Sequence, residues 1–127
     1  MMKIINSERA PKAVGPYSHA TIINNTLYVS GQLPLVPETM QFISEDVAEQ
    51  TKQSIENAKA IIEEAGATLN DVARVGIFIT NMGDFAKVNE VYASYFSEHK
   101  PARVCVEVSK LPLDAQVEME FTVDVSQ

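Results

Sequence analysis

The 127-residue chain contains a single cysteine, Cys105, so no internal disulfide can form and a secreted disulfide scaffold is excluded. No apolar run approaches the ~18 residues of a membrane span. The opening residues, Met-Met-Lys-Ile-Ile-Asn-Ser-Glu-Arg, lack the apolar stretch of a signal peptide and the Arg-rich, acid-poor bias of a transit peptide. A soluble, cytoplasmic protein is the expectation. Basic charge is scarce: ten Lys and Arg face seventeen Asp and Glu, a formal net charge of −7. The bases are scattered along the chain, so the basic face that neutralises phosphates is not in evidence and nucleic acid is not the expected ligand. Two histidines, His19 and His99, and one cysteine at no metal-ligand spacing give no metal site. GxGxxG, GxxxxGK[ST] and GxSxG are all missing, which sets aside dinucleotide, P-loop and α/β-hydrolase chemistry.

What is present is ordinary globular material, 46% hydrophobic and 21% charged, without repeats or a dividing linker, and it reads as one domain over residues 1–127. Lys3–Ile5 is a short strand candidate, and residues 10–20, with two prolines and a glycine, form a loop. Thr21–Ile23 and Leu27–Ser30 flank Asn24-Asn25, whose tolerance of left-handed backbone predicts a hairpin turn. Gly31-Gln32-Leu33-Pro34 ends the second of those strands. From Asp46 to Ala65 the period becomes helical: Val47, Ile55, Ala58, Ile62 and Ala65 share a stripe, interrupted by Thr51. Asp46 with Glu49 resembles a capping box, and Gly66 suits the C-cap. Residues 72–80 predict a buried strand, and a second helix runs from Asp84 to His99 until Pro101 stops further helix. His99 then sits at a helix C-terminus, where the dipole explains it.

Two alternating stretches close the chain. Ala102, Val104, Val106 and Val108 alternate with Arg103, Cys105, Glu107 and Ser109, and Val117, Met119, Phe121, Val123 and Val125 alternate with Glu118, Glu120, Thr122 and Asp124. Such a period puts the apolar row of each strand on a core. The order of elements is α+β, with two helices able to cover one face of a single sheet. The other face, read as carrying Cys105 and Thr122, is mixed in character, which points to self-association.

Chemistry has few places to reside. Arg103 interrupts a strand of small and apolar residues and could grip a carboxylate through its planar fork, or pair with a surface acid. Glu118 is either a solvated carboxylate or a general acid/base. Tyr17 follows Gly15-Pro16 as a packed aromatic or a site hydroxyl. Ser30-Gly31 either ends a strand or lets a ligand approach the backbone closely. Asn89 lies off the apolar stripe of the second helix, and Cys105 reads as a small filler on the same face as Arg103.

The segments Ala10–Ser18, Val29–Pro34, Pro101–Val108, and Leu111-Pro112 through Val117–Glu120 together resemble the YjgF/YER057c/UK114 or Rid family, in its RidA-type enamine/imine deaminase branch. The likeness runs in order over essentially the whole chain, and four motifs in register are far more specific than one. It implies a chorismate-mutase-like fold with a single mixed six-stranded sheet, two helices on one face, and a homotrimeric barrel with clefts between subunits. The last strand would insert between earlier ones. The implied activity is hydrolysis of 2-aminoacrylate-type enamines and their imines, 2-iminopropanoate and 2-iminobutanoate, to 2-keto acids and ammonia, with no cofactor. Carried over, Arg103 would bind the substrate carboxylate and Glu118 would position or activate water. Tyr17, Ser30, Gly31, Asn89 and the Cys105 backbone would line the cleft. His19 stands where the family more often has glutamine, and the 98–100 link is shorter than in some relatives. Such proteins have also been described as L-PSP endoribonucleases and translation inhibitors, the alternative activity. A non-catalytic small-ligand-binding trimer is the third reading.

Overall fold

The computed structural model describes residues 1–126. Six strands form one sheet: β1 (Lys3–Ile5), β2 (Ala20–Ile23), β3 (Thr26–Gln32), β4 (Val72–Ile79), β5 (Ala102–Glu107) and β6 (Val117–Asp124). Two helices, α1 (Val47–Glu64) and α2 (Phe85–Tyr95), complete the fold. The spatial order is β1-β2-β3-β6-β4-β5. β6 is antiparallel to both β3 and β4, so the final strand does insert between earlier ones, and β5 lies parallel to β4 at the edge. A parallel neighbour needs a crossover, and α2 supplies it.

Local chemistry explains most boundaries. Asn24 and Asn25 adopt φ of 49° and 63°, the left-handed pair that a tight hairpin between β2 and β3 requires. Asp46 caps α1 by accepting from the Glu49 N–H at 3.1 Å. The other half of the expected box is rerouted: the Asp46 N–H donates to Ser44 Oγ, which itself donates to the Glu49 carboxylate. At the far end Gly66 takes φ 85°, and the Ala67 N–H returns to the Ile62 carbonyl, closing the helix as glycine at this position does. Val47, Thr51, Ile55, Ala58 and Ile62 are all buried, and the Thr51 hydroxyl donates to the Val47 carbonyl at 2.8 Å, which lets a polar residue occupy the stripe.

The second helix ends earlier than the sequence suggests. α2 stops at Tyr95, and Phe96 leaves helical geometry at φ −123°, ψ 57°. Residue 96 turns back to bury its ring against Tyr92, the two centroids 4.8 Å apart. His99 therefore lies beyond the helix, and its Nε2 donates to the Val72 carbonyl at 2.6 Å. That bond, rather than a helix dipole, accounts for it.

One face of the sheet is the core. Leu27, Val29, Val75, Ile77, Ile79, Val117, Met119, Phe121 and Val123 pack with Ile55, Ala58, Ile61, Ile62 and Val88 of the helices. The opposite face has no helix. It exposes Ile4, Tyr28, Val104 and Val106, and near one end a smaller cluster of Leu33, Leu35, Leu111 and Ala115 packs with Phe78.

The edge strand inverts the expected orientation. β5 pairs with β4 as Val75↔Arg103 and Ile77↔Cys105, and cross-strand partners share a face. Arg103 and Cys105 therefore point to the helix side, and Val104 and Val106 to the open face. Cys105 packs against the main core and is not part of the open face; Thr122 is, opposite Tyr28 and Arg74. The alternation was visible in the residues, but the side that α2 covers is set by pairing with β4.

Candidate active site

Arg103 belongs to an aromatic cradle. Its guanidinium carbon lies 4.8 Å from the Tyr92 ring centroid and 5.6 Å from that of Phe85, and Nη1 donates to Asn89 Oδ1 at 2.7 Å. Phe85, Asn89 and Tyr92 stand at i, i+4 and i+7, which is one helical stripe. Asn89 is thus on the aromatic side of α2, not off it, and that spacing was a usable signal. Arg103 makes no ion pair among the described residues, so a surface salt bridge does not explain it. The stacked rings and the single amide hold the guanidinium plane, leaving its other N–H groups free to form a fork. Burial pushes the Tyr92 hydroxyl and the Cys105 thiol above their ordinary pKa values, and the Arg103 charge offsets part of each rise.

Glu118 sits elsewhere. β3 and β6 pair as Val29↔Phe121 and then Gln32↔Met119, so Ser30 and Gly31 together oppose the single residue Glu120. This is a β-bulge, a device that re-aims side chains, and β3 continues through it rather than ending at Gly31. A Cβ on Gly31 would lie 2.6 Å from Glu118 Oε2 and 2.9 Å from its Cδ. Gly31 is therefore glycine because the Glu118 carboxyl occupies that space.

The Ser30 hydroxyl donates to the Ser18 carbonyl at 2.7 Å, and its N–H to the His19 carbonyl at 2.9 Å, so the Ser30 amide is not free for a ligand. Val14, Tyr17, Ser30, Gly31, Leu33, Pro112 and Glu118 line a cleft of about 380 Å³. The Tyr17 hydroxyl accepts from the Val14 N–H at 3.3 Å, closing the loop on itself. Burial, and then the negative charge of Glu120, push the Glu118 carboxyl above its ordinary pKa. Val14, Leu33 and Pro112 had no sequence signal of their own as site residues, and the loops and the bulge bring them here; Glu120 follows Glu118 on the same row of β6.

Arg103 and Glu118 do not meet within one chain. Glu118 pairs with Phe78, and Phe78 with Val106, all on the open face; Arg103 shares the helix face. Two strand spacings and three residues of offset put the Cα atoms about 14 Å apart, with the side chains on opposite sides. The chain presents two half-sites: a cationic fork on aromatic rings, and a carboxyl in a small apolar cleft. Among the described residues no group of three or more His, Cys, Asp or Glu is placed to hold a metal ion. Nor, among the described residues, is any helix long and apolar enough to cross a membrane.

The chain has known counterparts in sequence and in fold. The family profile described as Endoribonuclease L-PSP matches residues 7–125. A RutC family protein of Pyrococcus abyssi is 55% identical over 118 residues, covering 93% of each chain. The 2-iminobutanoate/2-iminopropanoate deaminase of Escherichia coli is 43% identical over 123 residues, 94% of this chain and 95% of that one. The crystal structure of E. coli TdcF with bound serine superposes with a TM-score of 0.93 at 41% identity, covering 98% and 99% of the two chains. The chain belongs to the L-PSP/YjgF (Rid) family.

Proposed function

We propose that this protein is a cytoplasmic imine deaminase that hydrolyses 2-iminopropanoate and 2-iminobutanoate, the tautomers of 2-aminoacrylate-type enamines, to 2-keto acids and ammonia. The observation that carries the reading is the pair of complementary half-sites on opposite faces of the sheet. A homotrimer, with the open sheet faces turned inward, sets the Arg103 half of one subunit against the Glu118 half of the next. The substrate carboxylate docks on the Arg103 fork, a charge-assisted contact worth ~1.5–3 kcal/mol.

The chemistry needs only water and a positioned carboxyl. Ionised Glu118 accepts a proton as the water oxygen attacks the carbon of the N-protonated imine, forming a neutral carbinolamine. The same carboxyl returns that proton to nitrogen, the C–N bond breaks, ammonia leaves, and the hydroxyl proton passes back to Glu118, and from there to solvent, as the keto group forms. A carboxyl with a raised pKa suits both transfers, and such a group accelerates proton-transfer steps by ~10²–10⁴-fold. Tyr17, Ser30, Gly31, Asn89 and the Cys105 backbone shape the cleft, and no cofactor takes part. The relative named a deaminase supports this reading. Both ring nitrogens of His19 are engaged, by the Ser7 N–H and the Pro11 carbonyl, which removes one of the chain's two histidines from a general acid/base role in RNA cleavage. The serine bound to the TdcF structure favours small-molecule binding as the competing reading.

The test follows decay of 2-iminopropanoate, generated in situ from an amino acid, with wild type and Arg103→Ala in parallel. Faster keto-acid appearance with wild type alone is expected. No acceleration by wild type would leave a ligand-binding protein.

A further inference from the structure

His19 is 5% exposed and fully engaged, yet no step of the proposed reaction uses it. The Ser7 N–H can only donate and reaches Nδ1 at 3.0 Å; the Pro11 carbonyl can only accept and lies 2.7 Å from Nε2. These partners select one form of the ring, neutral imidazole with its proton on Nε2. The Nε2 bond spans the loop between residues 11 and 19, whose interior carries Val14 and Tyr17 into the cleft. The backbone of the same residue is held at both ends: its N–H donates to Asn6 Oδ1 at 3.0 Å, and its carbonyl accepts from Ser30 N–H at 2.9 Å.

We propose that His19 is the positioning residue of the Glu118 half-site, a neutral imidazole that staples residues 11–19 shut and seats Tyr17 and Val14 beside Ser30 and Glu118. The assignment deepens the deaminase reading and rests on it for its kinetic consequence. A side chain can replace the ring only if it both accepts from Ser7 and donates to Pro11. Glutamine does both through its amide; leucine fills similar volume and does neither.

The test compares His19→Leu and His19→Gln with wild type by steady-state imine hydrolysis, well below the melting temperature. Each chain also carries 3-fluorotyrosine, with the Tyr17 resonance assigned by Tyr17→Phe. His19→Leu should lose at least about tenfold in kcat/KM and move the Tyr17 fluorine line toward its position in the unfolded chain, and His19→Gln should recover kcat/KM to within about threefold and return the line to its wild-type position. A purely structural role would lower the melting temperature while leaving the kinetics of the folded protein and the Tyr17 line unchanged, and that result would overturn the proposal. So would a folded His19→Gln as impaired as His19→Leu, or ¹⁵N spectra of wild type placing the proton on Nδ1. If His19→Leu does not fold, His19→Gln and the tautomer decide. If wild type hydrolyses no imine, the deaminase reading fails and the fluorine line alone decides whether His19 seats Tyr17.

Discussion

Replacing Gly31 with alanine adds one methyl group in the most confined part of the Glu118 half-site. The new Cβ would stand 2.6 Å from Oε2, 2.9 Å from Cδ and 3.2 Å from Cγ of Glu118. Ordinary contact begins near 3.4 Å, so the carboxyl must retreat by about 0.8 Å. The backbone at Gly31 is not left-handed, so alanine meets no conformational penalty there. The atoms it meets belong to the mobile end of a side chain rather than to backbone. The fold should therefore survive, with stability changed by no more than ~1 kcal/mol. Activity should not, because a catalytic group misplaced by close to 1 Å loses roughly 10²-fold in rate. Circular-dichroism melts and keto-acid formation read the two effects separately. A folded Gly31→Ala with wild-type turnover would refute the placement of Glu118 as the water-handling group.

Three other substitutions probe the same account. Arg103→Lys keeps the charge but loses the planar fork stacked on Tyr92 and Phe85, and kcat/KM should fall by ~10–100-fold with little change in melting temperature. Glu118→Gln should still bind a 2-keto acid, by calorimetry, while losing ~10²–10⁴-fold in turnover. Its stability relative to wild type should also depend on pH in a defined direction. The folded pKa of Glu118 lies above the ordinary 4.5, so the native state binds the proton more tightly and wild-type stability falls as pH rises from 4.5 through the folded value. The melting temperature of Glu118→Gln relative to wild type should thus be higher above that window than below it, and the opposite ordering would contradict the assignment. Asn57→Ala removes an amide whose Nδ2 donates to both the Leu33 and Leu35 carbonyls, at 3.0 and 2.9 Å. It should destabilise the fold by ~2–4 kcal/mol in chemical denaturation, since two buried acceptors lose their partner.

Much of this arrangement was readable from residue order. The α1 stripe, its Asp46 cap and Gly66 stop, the Asn24-Asn25 turn and the alternation of β6 all follow from local rules that the structure obeys. The two helices on one face of a single sheet follow from the order of elements. What escaped depends on contacts between distant segments. Alternation along β5 announces two faces but not which one α2 covers, so the apolar Val104 and Val106 read as the core row, with Arg103 and Cys105 on the other face. Asn89 reads as lying off the apolar stripe because its stripe mates, Phe85 and Tyr92, are apolar and it is not; the group that unites them is Arg103, on another element. The bulge at Ser30-Gly31 leaves no mark beyond the glycine, since a bulge is a property of paired strands. His19 falls within the loop of residues 10–20, and only the positions of Ser7 and Pro11 reveal what its ring does.

Separation of Arg103 and Glu118 on opposite faces of one chain is the central claim, and subunit mixing tests it most directly. Arg103→Ala and Glu118→Gln are each inactive on this account, but each retains the half-site the other lacks. Unfolded together in equal amounts and refolded, they should form trimers in which about a quarter of the inter-subunit sites are intact, and about a quarter of wild-type imine hydrolysis should return. A mixture as inactive as its components would place both residues in one subunit's site and contradict the account.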